Sequence, residues 1–122
     1  MLLCARTVTS AAMLIMGASA LLPGLSAAEE DKSDAEAGKA IAVERTRGNC
    51  IACHQFEGGE SPGNIGPALI VMKARYPDAK VLRAQIWDAT AANPLSPMPP
   101  FGKHEILSED EIDQVVAFVL TL

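Results

Sequence analysis

The sequence predicts an all-α domain of three to four short helices, on three observations. Two Ser-x-x-Glu boxes, Ser33/Glu36 and Ser108/Glu111, each precede a stretch with apolar residues at helical spacing. The connecting segments are dense in helix breakers: residues 55–68 hold four glycines and two prolines, and residues 93–102 hold four prolines. No repeat, low-complexity tract or defensible strand accompanies them.

Taken in order, Ser33 is expected to cap a helix reading DAEAGKAIAVERT, with Ala35, Gly38, Ile41 and Ala42 near one face and Gly48 as its stop. Gly38 inside a helix is unfavourable by about 1 kcal/mol relative to Ala, which raises the expectation of a close packing contact there. After the glycine-rich loop, ALIVMKARY is expected to form two helical turns, broken at Tyr76-Pro77-Asp78. Asp78 then caps AKVLRAQIWDAT, whose apolar side is Val81, Leu82, Ile86 and Trp87. The last segment, EIDQVVAFVLTL, is rich in Val and Phe, which favour strands. Its cap and the helical spacing of Ile112, Val115, Val116 and Val119 decide for helix.

Residues 1–28 read as a secretory signal rather than part of the domain. Arg6 gives a weakly basic start, residues 11–22 are apolar, Pro23-Gly24 breaks the run, and Ser26-Ala27-Ala28 supplies the small residues a signal peptidase reads. The apolar stretch is short for a membrane span. The expected domain is residues 29–122, 94 of the 122 residues. The removed segment carries Arg6 and no acidic residue, so the net charge moves from −5 to −6. That balance argues against nucleic acid or an anionic membrane surface as partner. Aromatic residues make up only 4% of the chain, little for a small core. Something other than side chains is expected to fill the centre.

Cys4 falls within the signal, leaving Cys50 and Cys53. They stand in Cys50-Ile51-Ala52-Cys53-His54, the C-x-x-C-H pattern for covalent attachment of c-type haem. Two thiols three residues apart on a tight turn can each reach one vinyl group at a porphyrin edge, and the adjoining histidine then lies under the iron. Other chemistries lack their contexts. Zinc needs four ligands, and only His104 remains beyond the motif. A thioredoxin-like pair needs a βαβ unit, and a disulfide across two residues closes too small a loop to stabilise much.

The iron's second ligand is expected to be Met98, held in Pro97-Met98-Pro99-Pro100 by a stiff extended loop. His104 is the rival, and Met72 fits core filler in its apolar stretch. His/Met pairing belongs to electron-transfer cytochromes and raises the reduction potential. The Asn64-Ile65-Gly66-Pro67 segment is placed to offer a carbonyl to the second ring nitrogen of His54, with Pro67 the possible partner. Trp87 and Phe118 suit either porphyrin packing or ordinary core.

With these residues in hand, the chain resembles class I cytochromes c over residues 33–122. Within them it is similar to the SoxX family, the haem subunits of periplasmic sulfur-oxidation systems. The similarity is carried by GNCIACHQ, GNIGPAL, RYPD, IWD and MPPFGKHEILSEDEI leading into VVAFVL, in that order. The resemblance implies a cytochrome c-like fold, with its helices wrapped around one covalently bound haem c. By that match Cys50 and Cys53 attach the haem, and His54 and Met98 bind the iron. It also implies a periplasmic heterodimer with a SoxA-type haem subunit, acting as an L-cysteine S-thiosulfotransferase that joins thiosulfate to a cysteine of the SoxYZ carrier. This chain would pass the electrons on to a soluble cytochrome. No catalytic nucleophile is found here, so the sulfur chemistry is expected on the partner. The alternative is a free-standing soluble electron carrier.

Overall fold

A computed structural model of the chain describes residues 24–122; the expected signal lies outside the described residues except for its last five positions. The described chain folds into α1 (Gly24–Val43), a 3-10 turn (Cys50–Ala52), α2 (Met72–Arg75), α3 (Ala79–Trp87), α4 (Ala89–Ala92) and α5 (Glu109–Val119), with no strand among the described residues.

The frame is the crossing of α1 and α5. At the crossing a Cβ on Gly38 would stand 1.9 Å from the Gln114 carbonyl oxygen, so only glycine lets the two backbones approach this closely. Around the contact Ile41 and Ala42 of α1 meet Ile112 and Val115 of α5, all buried. Each buried Ile or Val contributes about 1.5–3 kcal/mol. The gain from this closeness offsets the poor helix propensity of Gly38. An Arg47–Glu111 ion pair and an edge-to-face contact of Phe56 and Phe118, centroids 5.5 Å apart, extend the same seam.

The α5 helix starts as its sequence dictates. Ser108 Oγ accepts from Glu111 N at 3.2 Å and Glu111 Oε2 accepts from Ser108 N at 2.9 Å, a complete capping box. Ile112, Val115, Val116 and Val119 are all buried.

Five expectations need correction. Ser33 does not cap the first helix, which begins nine residues earlier at Gly24; the Ala-, Glu- and Lys-rich residues 27–32 are good helix formers and carry α1 through Ser33. That helix also ends at Val43 rather than at Gly48. There the Glu44 carboxylate accepts from Thr46 N (3.2 Å) and its hydroxyl (2.9 Å), turning the chain. The expected two turns over ALIVMKARY shrink to one, Met72–Arg75, because Val71 takes a left-handed conformation at φ 52. The third helix stops at Trp87, since the Asp88 side chain accepts from Thr90 N at 3.0 Å and starts a new turn; its Val81 points outward, 57% exposed. Leu82 and Ile86 are buried as expected.

Candidate functional site

The 3-10 turn places Cys50, Cys53 and His54 at one wall of a cavity of about 580 Å3. The turn follows Asn49, whose left-handed φ of 48 brings the chain round sharply after α1, and Cys53 N and His54 N both donate to Cys50 O, at 3.1 and 2.9 Å. Cys50 and Cys53 are both half-buried. Before a thioether bond forms, burial pushes the Cys50 thiol up to about 11.

The glycine-rich loop runs back along this turn. Gly63 N donates to Ile51 O, Gly66 N to Cys53 O and Leu69 N to Gln55 O, each at 2.8 Å. Two glycines make the fit possible: a Cβ on Gly63 would stand 1.8 Å from Ala52 O, and one on Gly66 would stand 2.4 Å from His54 Cε1. So placed, the Pro67 carbonyl accepts from His54 Nδ1 at 2.7 Å. A carbonyl can only accept, so Nδ1 carries the proton and Nε2 keeps its lone pair for a metal. The second ring nitrogen of His54 thus faces the Pro67 carbonyl.

A second wall comes from the proline-rich loop. Leu95 N donates to Asn93 Oδ1 at 3.1 Å, Ser96 N to Asn93 O at 2.9 Å and Met98 N to Ser96 Oγ at 3.3 Å, a succession of side-chain-supported turns. Met98 lines the cavity and packs partly buried against the core. His104 sits on the exposed turn beyond and does not line the cavity. Met72, read from sequence as core filler, is buried and also lines the cavity, where its sulfur accepts from Arg75 Nη1 at 3.4 Å. Neither Trp87 nor Phe118 lines it.

The aromatics that do are the half-buried Tyr76 and Phe101, the latter buried beside Leu82, Ile86, Leu107, Val115 and Val119. None of these was singled out from sequence as a lining residue. For Leu82, Ile86, Val115 and Val119 the only signal was apolar spacing, which marks a core without distinguishing a core that closes on itself from one that closes on a ligand. The charged lining residues are Arg45, Arg47 and Arg75, with no carboxylate among them, although the chain is net negative. An apolar chamber with a cationic rim fits a flat, greasy group that carries its own carboxylates, as haem does. Its volume falls within the roughly 300–1,000 Å3 typical of cofactor sites. Among the described residues no three metal-ligating His, Cys, Asp or Glu side chains converge, and no helix is long and apolar enough to cross a membrane.

An all-helical chamber with two thiols and an oriented histidine on one wall defines a haem protein, and residues 35–122 match the cytochrome c family. The chain belongs to the cytochrome c family, and its cofactor is covalently bound haem c. The fold is similar to a chain in the crystal structure of SoxXA from P. pantotrophus, with a TM-score of 0.63 and 29% identity, covering 70% of this chain and 79% of that one. Together the two findings place the chain in the cytochrome c family, with a fold similar to that of a chain of the SoxXA complex. A curated relative, an uncharacterized lipoprotein of Aquifex aeolicus (strain VF5), is 35% identical over 74 residues, 60% of this chain and 36% of the relative. The chain thus spans about a third of that relative's length.

Proposed function

We propose that this chain is the electron-transfer subunit of a periplasmic, thiosulfate-oxidising complex of the SoxXA kind. Cys50 and Cys53 would hold the haem by thioether bonds, with His54 Nε2 and the Met98 sulfur as iron ligands. When bound, the haem supplies a one-electron ferric/ferrous couple. The observation that carries this reading is the shared cavity: Cys50, Cys53 and His54 line one wall, and Met98 lines it while His104 does not.

The chain's own residues do the rest. The Pro67 carbonyl fixes the tautomer and plane of His54. Phe101, Leu82 and Val115 exclude water, which favours the less charged reduced state, and the thioether of Met98 shifts the balance the same way. No nucleophile for sulfur chemistry lies in the cavity once the two thiols are used. The S-thiosulfotransferase reaction, joining thiosulfate to a cysteine of a SoxYZ-type carrier, therefore falls to a SoxA-type partner. This chain takes up the released electrons and delivers them to a soluble cytochrome. Support for the complex, as opposed to a free-standing carrier, comes from the 29% identity to the SoxXA chain and from the unbroken segment MPPFGKHEILSEDEI. The signal-like residues 1–28 support a periplasmic site.

Purification of the tagged chain from its native host tests this directly. Co-elution with a second haem protein, and reduction of this haem when thiosulfate and carrier are added, is the expected result. A monomer that elutes alone and stays oxidised would reject the complex and leave the soluble carrier.

A further inference from the structure

The Met98 loop is secured at its far end by contacts that lie outside the cavity. Trp87 ends α3, and its carbonyl, one of the orphan acceptors of a helix terminus, takes Gly102 N at 3.1 Å and Lys103 N at 3.3 Å. The indole lies so close that a Cβ on Gly102 would stand 2.1 Å from its Cε3. The next residue, Asp88, is half-buried and accepts from Lys103 Nζ at 2.8 Å. That ion pair, helped by Thr90, holds the Asp88 carboxyl down to about 2, so the carboxylate stays charged throughout the neutral range. Neither Asp88 nor Lys103 lines the cavity; Phe101, the neighbour of Gly102, does. Within the loop, the Met98 amide is supported by a single contact to Ser96 Oγ at 3.3 Å.

We infer that the Trp87–Gly102 contact and the Asp88–Lys103 ion pair form a latch that keeps the Met98 loop closed over the cavity, making Lys103 and Asp88 positioning residues for the sixth iron ligand. This rests on the reading of Met98 as that ligand. A loop with few internal bonds opens by local unfolding at low free energy. Releasing its anchored end raises the open population, and an external ligand for the iron captures that population in proportion.

Imidazole, titrated into the oxidised, haem-loaded full chain, reads the open population. Lys103→Gln is expected to bind imidazole about tenfold more tightly than wild type, while Lys103→Arg, which keeps the ion pair, stays within twofold. Gly102→Ala, which drives a methyl into the indole, is expected to exceed Lys103→Gln. Ile112→Val is the control: it thins the α1–α5 core, destabilising the domain without touching the loop, and should shift imidazole binding less than twofold. An unmoved affinity in Lys103→Gln, or an equal shift in Ile112→Val, would overturn the latch while leaving Met98 as ligand. Absence of the methionine-to-iron absorbance band from oxidised wild type would instead overturn the ligand assignment, and the latch with it.

Discussion

The two walls of the cavity each carry one expected iron ligand, yet they are held by different means. On the His54 side, Gly63, Gly66 and Leu69 amides lock the loop onto residues 51–55, with Gly63 pressed against the Ala52 backbone and Gly66 against the imidazole. On the Met98 side, the loop is built of Asn93 and Ser96 side-chain turns and is held towards its end by the buried Phe101 and by the contacts to Trp87 and Asp88. The first wall is continuous backbone, so no single side-chain deletion loosens it. The second is a tethered strap whose position depends on a few removable groups. A haem protein built this way keeps its cofactor regardless of what happens at the sixth ligand, and leaves that ligand open to adjustment.

The largest effect is expected from the thiols. Replacing both Cys50 and Cys53 with Ser should reduce haem staining of the denatured chain to background, whereas no change on the Met98 side should affect it. Next comes Gly66→Ala, whose methyl would stand 2.4 Å from His54 Cε1 and force the ring off Pro67. Overpacking of this kind destabilises by about 1–3 kcal/mol. Ser96→Ala, which removes one partly buried contact in the strap, should lower the urea midpoint by less than about 1 kcal/mol equivalent. Equal losses from the two variants would erase the distinction between the walls.

Smaller still is a pH effect confined to the strap. The Asp88 carboxyl is lowered from 3.8 to about 2 by Lys103 first and Thr90 second. Its contribution to stability is therefore fully present above about pH 4 and disappears as the pH falls through about 2. The gap in urea midpoint between wild type and Asp88→Asn should be constant from pH 7 to pH 5 and narrow steadily below pH 4. A gap that widens on acidification would contradict the ion pair. Ser108→Ala removes the α5 capping box and should lower stability by about 1 kcal/mol. Because α5 supports both walls, through Val115 and Val119, the contrast between them should survive this variant unchanged.

The same contrast explains what was legible in the sequence. The His54 wall is local: motif, loop and Pro67 lie within eighteen residues, and glycine and proline restrict the backbone so severely that the segment facing the imidazole could be narrowed to residues 64–67. The α5 helix was legible for a similar reason, since its cap and its stripe are short-range signals. The strap was half legible. Proline density fixed it as an extended loop and picked out Met98, but the Asp88–Lys103 pair spans fifteen residues and looks in sequence like two unrelated surface charges. The start of α1 was misplaced because Ser33 forms a good cap only if the preceding residues leave the helix, and Ala-Ala-Glu-Glu-Asp-Lys does not. Leu82, Ile86, Val115 and Val119 were read only as apolar helix faces, since packing against a cofactor and packing against side chains impose the same apolar pattern, and Phe101 went unread within the proline-rich loop.

The oxidised-state absorbance band of methionine-to-iron charge transfer tests the two-walled site most directly. It should be present in the wild-type chain, absent in Met98→Ala and retained in His104→Ala, because Met98 lines the cavity and His104 sits exposed outside it. A band that survives Met98→Ala, or spectra in which only His104→Ala changes, would contradict the assignment of the second wall.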